Sequence, residues 1–316
     1  MHRVFHLPDK SVFRRGVFWA LLISGLVVPG TATRAFQSKE QEPAEVKNKD
    51  IGKAPAPKEA EKTKEKLAKT QAGAVKMSQP EILAETVIFA YGGRPALQAA
   101  RASISEQGAI RVATEQGDVS GTFTLRRIQK EKSWQDLFRT DLEIETPEST
   151  QRAGSPPKIK FTMTFNGASV WGAQNEQYIS PAADSELAFR SQLVHDYTTL
   201  LRYKEDGSKI ELIGPETVVG IDTQVLDVAQ PGGEKTRFWV SAKTYRILHL
   251  EYQMKLPNGS NPTIRVSYYP PYKVVQNTLV PLRRVMEQDG KFVQEITMSQ
   301  ISYSAKLDPD IFVHLP

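Results

Sequence analysis

The sequence predicts an α+β fold. It reads as one large, bent antiparallel sheet of about eleven strands, with a helix or two ahead of it and a long helix interrupting it once. Two patterns carry that expectation. Large apolar residues recur at every second position over several segments, so each strand buries one face and wets the other. Turn-forming pairs fall between those segments.

Before the fold come two segments of different character. Arg3, Lys10, Arg14 and Arg15 precede an uncharged run from Gly16 to Gly30. That run is short for a bilayer-spanning helix, which needs about 20 apolar residues, and it ends in the small-residue exit Thr33-Arg34-Ala35. Residues 1–35 are therefore expected to be a signal peptide cut after Ala35. The alternative is an anchor retained through residues 16–33. Residues 36–78 hold Lys, Glu, Ala and Pro with almost no large apolar side chain. They cannot bury enough surface to offset the entropy of ordering, so they are expected to be a disordered spacer. The folded domain is expected over 79–316.

The full chain carries a net charge of +5. Residues 1–35 account for +4 of it and residues 36–78 for +3, leaving the rest near −2. A nucleic-acid binder needs a basic face on its folded part, so nucleic acid is not an expected partner. The chain has no cysteine, hence no disulfide, no thiolate metal site and no lipid-modified cysteine.

Ser78-Gln79-Pro80-Glu81 fits a capping box, and Leu83, Val87, Ala90 and Tyr91 then share one helical face. Gly92-Gly93 ends that helix, and a second is expected from Pro95 to Arg101. From there the period becomes two. Val119, Gly121, Phe123 and Leu125 alternate with polar residues; so do Ile159, Phe161, Met163 and Phe165, and so do Ile264, Val266 and Tyr268. Leu248, Leu250, Tyr252 and Met254 line one side of another strand. The alternation slips near Arg126-Arg127 and near Ser299-Gln300, which predicts bulges there. Gln116-Gly117-Asp118, Asn166-Gly167, Asn258-Gly259 and Asp289-Gly290 read as hairpin turns. A helix capped at Asp184, with Leu193, Tyr197, Leu200 and Leu201 as its stripe, is expected to run to Gly207.

Catalytic chemistry is scarce. His195, His249 and His314 have no metal-ligand spacing. No nucleophile elbow, P-loop or dinucleotide fingerprint occurs. Ser155-Pro156-Pro157-Lys158 matches S-x-x-K by letter, but its prolines deny it the helical turn that pairing needs. His249 and Glu251 share a strand face and read as an exposed pair. No catalytic residue, metal site or cofactor is expected. What remains is apolar surface. Phe123, Phe138, Phe161, Phe165, Trp171, Phe238 and Trp239 all fall in strand segments. Each alone reads as core. Together, on a bent sheet, they exceed what two or three helices cover, which points to a cavity for an apolar ligand. Phe123, Leu125, Phe161, Met163, Phe165, Leu193 and Tyr197 are the candidate lining.

Four segments resemble bacterial periplasmic lipoprotein carriers of the LolA/LolB-like family. Leu125 through Glu143, with Phe138-Arg139 ahead of Leu142, resembles the strand pair whose second member reads F-R-x-E. Phe165-Asn166-Gly167-Ala168-Ser169-Val170-Trp171 resembles its D-G-x-x-x-W hairpin. Phe238 through Ile247 resembles x-W-F-D-x-x-T-G-L-I, and Leu307-Asp308-Pro309-Asp310-Ile311-Phe312 resembles the closing L-D-x-x-x-F. The resemblance implies a half-open antiparallel barrel with helices over its concave face, located in the periplasm. It implies lipid or an acylated lipoprotein as partner, and an arginine that ties strand to lid, best matched by Arg139. The chain departs from the family at Tyr245, where glycine is usual, in the insertion from Pro147 to Pro157, and in the Lys/Pro-rich segment. The leading functional expectation is an exported, monomeric, non-enzymatic binder of acyl chains. The alternative is a cell-envelope scaffold with a sealed core and protein partners.

Overall fold

The structure, a computed structural model, describes residues 77–114, 117–146 and 158–313. The expected signal peptide, residues 36–76 of the expected spacer and the segment from Pro147 to Pro157 lie outside the described residues. Two helices open the fold, α1 (Gln79–Ala90) and α2 (Gly93–Arg101). Ser78 donates to Glu81 Oε2 from its backbone nitrogen at 2.7 Å and its hydroxyl at 2.8 Å, which secures the start of α1. Gly92 separates the helices with φ 119°. A Cβ there would lie 2.1 Å from the Asn277 carbonyl oxygen, so only glycine fits.

Six strands follow as a meander: β1 (Ser103–Thr114), β2 (Gly117–Ile128), β3 (Leu137–Glu145), β4 (Lys158–Phe165), β5 (Val170–Gln174) and β6 (Gln177–Ile179). Three helices come next, α3 (Ala183–Val194), α4 (Tyr197–Leu201) and α5 (Tyr203–Asp206). A second meander closes the chain: β7 (Lys209–Val218), β8 (Ile221–Ala229), β9 (Lys235–Ser241), β10 (Ile247–Gln253), β11 (Thr263–Val275), β12 (Thr278–Gln288) and β13 (Lys291–Tyr303). Strand β13 pairs with β1 and welds the two meanders into one antiparallel sheet of thirteen strands. Among the described residues strands β6 and β7 are its edges, so the sheet is an open half-barrel. The expectation of about eleven strands falls short by the brief β6 and one further strand.

The main core lies between the helices and the inner sheet face. Val87 and Ile88 of α1, Phe189 and Leu193 of α3 and Leu200 of α4 pack with Phe165, Phe238, Leu250 and Ile264. A second cluster gathers Ile104, Ile110, Val112, Phe123, Ile144 and Met298 on β1, β2, β3 and β13. The period-two reading of β4 holds: Ile159, Phe161, Met163 and Phe165 are all buried.

Three local expectations are corrected. The long helix is broken at His195-Asp196, where Asp196 leaves helical geometry, with φ −128° and ψ 164°, to cap α4. Strand β2 has no bulge at Arg126-Arg127, since its register with β1 and β3 is continuous. Arg127 instead occupies an inward position and is buried. His249 is buried against Trp239, ring centroids 4.2 Å apart, while Glu251 pairs with Arg265, so the two do not form an exposed pair. The second expected irregularity is real: Gln107 pairs with Gln300 and Gly108 with Met298, leaving Ser299 as the extra residue of a bulge. Tyr245 has φ 55°, the left-handed region that suits glycine.

Candidate functional site

The register of the first meander fixes the inner face in rows. Glu106, Leu125, Thr140 and Met163 stand side by side across β1 to β4. Gly108, Phe123, Leu142 and Phe161 form the next row, and Ile104, Arg127, Phe138 and Phe165 the row on the other side. Helix α3 lies over these rows, with Phe189 tilted against Phe138 at 4.9 Å between centroids.

Two small chambers remain beneath the helices. One, of about 50 Å³, is lined by Ile110, Phe123, Leu125, Phe161, Met163 and Phe189, with Gln192 and Gln294 at its side. The other, of about 80 Å³, is lined by Leu125, Phe138, Val266 and Met286 together with Glu106, Arg127, Asp196 and Arg284. Leu125, Gln192, Gln294 and Ile296 border both, so the chambers adjoin. Of the expected lining residues, Phe123, Leu125, Phe161 and Met163 meet at the first chamber, and Leu125 and Tyr197 at the second. Phe165 is packed into the core without reaching either. Leu193 is also core and faces a separate pocket beside Trp134 and Met254.

The second chamber is far more polar than the sequence suggested. Glu106 is 5 % exposed and accepts from Arg284 at 2.9 Å. Arg127 is 4 % exposed; its Nε donates to Asp136 Oδ2 at 2.7 Å, its Nη1 lies 3.5 Å from Asp196 Oδ2, and its Nη2 reaches the Leu193 carbonyl oxygen at 3.4 Å. Burial opposes the charge on Arg127, but Asp136 and Asp196 outweigh it and hold the guanidinium above its ordinary value. The Tyr268 hydroxyl accepts from the Tyr197 backbone nitrogen at 3.2 Å. Burial pushes both phenols well above 10, so they stay protonated. His195 stacks on Tyr252 at 3.9 Å and its Nδ1 sits 2.7 Å from Thr236 Oγ1. Burial depresses its pKa, and Glu234 at 3.4 Å opposes that.

Arg139 does not hold the helices. It faces the outer side of the sheet, donates to the Ile311 carbonyl oxygen at 2.8 Å and to Asp141, and lies over Trp171. Trp171 Nε1 donates to the Phe312 carbonyl oxygen at 3.3 Å. Together they tie the closing 3-10 turn, Pro309–Phe312, to the outer face. Arg127, two strand positions from Leu125, is an arginine that does tie the sheet to the helices, beside the Tyr268–Tyr197 and Thr236–His195 hydrogen bonds. Its signal was the slipped alternation: a charge at an inward position reads like a bulge when only polarity is counted. Glu106, Arg284 and Arg101 gave no such signal. Among the described residues no group of three or more His, Cys, Asp or Glu is placed to hold a metal ion.

No family model matches the sequence, and no curated protein matches it. Solved structures similar in fold include a DUF1329 family protein from Desulfovibrio piger, 14 % identical, covering 75 % of this chain and 98 % of that one with a TM-score of 0.47. Another is a LolA superfamily protein from Nitrosomonas europaea, 15 % identical, covering 73 % of this chain and 97 % of that one with a TM-score of 0.44. Both scores fall below 0.5, and the half-barrel architecture stands on the strand order itself.

Proposed function

We propose that this chain is an exported, non-enzymatic binder of acyl chains, taking a lipid or an acylated lipoprotein between the inner sheet face and helices α3 and α4. The observation that carries this reading is the pair of adjoining chambers under α3, one of them walled by Phe123, Leu125, Phe161, Met163 and Phe189. Their volumes, about 50 and 80 Å³, are well under the roughly 300–1,000 Å³ of small-molecule pockets. An acyl chain therefore enters by parting helix from sheet along the apolar wall of the first chamber. The ties to be released include those of Arg127 to Asp196 and to the Leu193 carbonyl, of the Tyr197 nitrogen to the Tyr268 hydroxyl, of His195 to Thr236 and of Ser191 to Tyr252.

The same small volumes favour a second reading, an envelope scaffold whose half-barrel is permanently sealed and whose partners are proteins. Native mass spectrometry of the purified chain separates the two. Co-purified lipid supports the binder; a bare mass together with no uptake of added fatty acid supports the scaffold. In either reading residues 1–35 direct export to the periplasm, and residues 36–78 act as a spacer ahead of the domain at 79–316. Retention of residues 16–33 as an inner-membrane anchor is the alternative. No helix among the described residues is long and apolar enough to cross a membrane.

A further inference from the structure

Arg101, the last residue of α2, is a buried charge that makes no salt bridge among the described residues. It is 2 % exposed, and among the described residues its Nε and Nη1 have no hydrogen-bond partner. Its Nη2 reaches the Leu279 carbonyl oxygen at 3.5 Å. The rings of Tyr197 and Tyr303 flank the guanidinium at 5.0 and 5.3 Å, a contact that supports a cation without giving it a carboxylate partner. Burial alone would drive its pKa down, yet the neighbouring phenols and Asp196 hold it above the ordinary arginine value, so it remains a cation. A buried charge of this kind is costly unless an anion pairs with it.

A pocket lies beside this charge, although Arg101 Nε and Nη1 are themselves shut off from solvent. Arg101 lines a pocket of about 510 Å³ between α2, the segment after β2, and helices α4 and α5. Gln129 lines the same pocket, next to Arg101 through a backbone bond from its nitrogen to the Ala102 carbonyl, and its Nε2 also lacks a partner. Glu205 Oε2, on the far wall, is a buried acceptor without a donor. Of the three other cations of the wall, Arg94 is engaged with Glu85 and Glu205 and Arg202 with Asp136, while Lys130 also borders the pocket. Leu97 and Leu201 give the pocket apolar sides, and Thr198 borders both it and the larger chamber under the helices.

The geometry points to Arg101 and Gln129 as the receptor for an oxyanion, with Glu205 receiving a hydroxyl beside it, the pattern of a glycerophosphate group. A phosphate oxygen accepts from the guanidinium and the amide, while a glycerol hydroxyl donates to the carboxylate. This names the class of acyl ligand and rests on the acyl-binding reading: an anionic glycerolipid, head at Arg101 and chain running past Thr198 beneath the helices. The same chemistry is offered by free glycerol phosphate.

Calorimetric titration of the full chain separates the sources. The probes are palmitoyl lysophosphatidylglycerol, palmitoylglycerol, which lacks the phosphate, and glycerol 3-phosphate. The expected result is at least tenfold tighter binding of the phosphate-bearing lipid than of palmitoylglycerol, with the preference lost in Arg101→Met. If Arg101→Met does not fold, Gln129→Leu serves, since it removes one donor and leaves the buried cation in place. Equal binding of the two lipids overturns the headgroup site and leaves the acyl-binding reading standing. Glycerol 3-phosphate bound by the wild type and not by the variant, with neither lipid bound, keeps the anion site and removes the acyl reading. No binding of any probe removes both. A preference unchanged in a folded Arg101→Met shows that Arg101 is structural, stacked on its tyrosines and nothing more.

Discussion

Arg127 of β2 and Asp196 at the helix break face each other at 3.5 Å, their side chains 5 % and 18 % exposed. One residue puts a charge on the greasy side of a strand; the other interrupts a helix that would otherwise run on. Each local irregularity answers the other. Asp196 also accepts from the Tyr197 backbone nitrogen at 2.6 Å, so it caps α4 as well as pairing. Asp196→Ala therefore removes a cap, worth about 0.5–2 kcal/mol, and leaves Arg127 with Asp136 as its remaining carboxylate. The expected loss in urea unfolding is about 2–3 kcal/mol in total. If α3 and α4 move to admit a ligand, the variant also takes up a fluorescent fatty acid faster than the wild type. Unchanged stability and unchanged uptake would show that this pair holds nothing closed.

Asp136 is the stricter case. It is fully buried and takes Arg127 Nε at 2.7 Å, Arg202 Nη1 at 2.8 Å and the Lys130 backbone nitrogen at 2.7 Å. Asp136→Asn removes the carboxylate that two guanidinium groups share and is expected to cost about 3–5 kcal/mol, read as a lower urea midpoint at constant slope. A loss under about 1 kcal/mol contradicts the view that this carboxylate anchors the network.

How far the sequence foretold these features depends on whether the pattern or the partner decides. Strand β4 was legible because Ile159, Phe161, Met163 and Phe165 state its buried face in four letters. The bulge at Ser299 was legible because an inserted residue shifts the alternation and nothing else explains the shift. The same shift at Arg127 had a different cause, a charge turned inward, and only its buried partner Asp136, nine residues on in the chain, makes that stable. The helix break was hidden for a like reason. Leu193, Tyr197 and Leu201 keep helical spacing across His195-Asp196 because both halves pack on one surface. Of the candidate lining, the residues on β2 and β4 were found by alternation, whereas Glu106 and Arg284 sit in strands whose charged inward positions break it.

Stability should fall with acidity through His249. Burial, then the nearby Arg265 charge, lowers its pKa from 6.5 to about 4. The unfolded chain binds a proton below about 6.5 while the native state refuses it until about 4, so the native state loses stability as pH falls through that window. The expected loss is on the order of 2–3 kcal/mol between those limits. His195, depressed by burial in the same direction, adds to it. Melting temperatures from pH 7 to pH 4 for the wild type and His249→Phe test this. The variant's curve should be flatter, and parallel curves would assign the acid sensitivity elsewhere.

Gly92 joins α1 to α2 at φ 119° with its α-carbon facing the β11–β12 turn. Alanine there meets the Asn277 carbonyl oxygen at 2.1 Å and a backbone conformation that side chains avoid. The expected cost of Gly92→Ala is at least about 2 kcal/mol, seen in thermal melts. Gly220, also at positive φ but with open space around it, is the control, and its substitution should cost only the smaller conformational penalty.

The decisive test of the acyl site is Met163→Glu. Met163 stands at the middle of the inner face, 7 % exposed, in the row with Leu125 and at the wall of the apolar chamber. Its neighbour Phe165 is packed into the core without reaching the chamber, so its replacement would disturb folding without testing binding. Methionine is the adaptable member of the set, and its loss disturbs the core least. Burying about 300 Å² of acyl surface at 25 cal/mol per Å² contributes on the order of 7 kcal/mol before ordering costs, so micromolar affinity is the expected ceiling. A carboxylate in the chain's path must either stay charged and desolvated or take up a proton, and both outcomes consume that gain. Displacement of a fluorescent fatty acid from the wild type, and its absence from a variant whose circular dichroism shows a folded sheet, is the expected result. Binding retained by the folded variant places the ligand elsewhere on the molecule. A folded wild type that neither binds the probe nor carries lipid from expression gives the ground to the sealed scaffold.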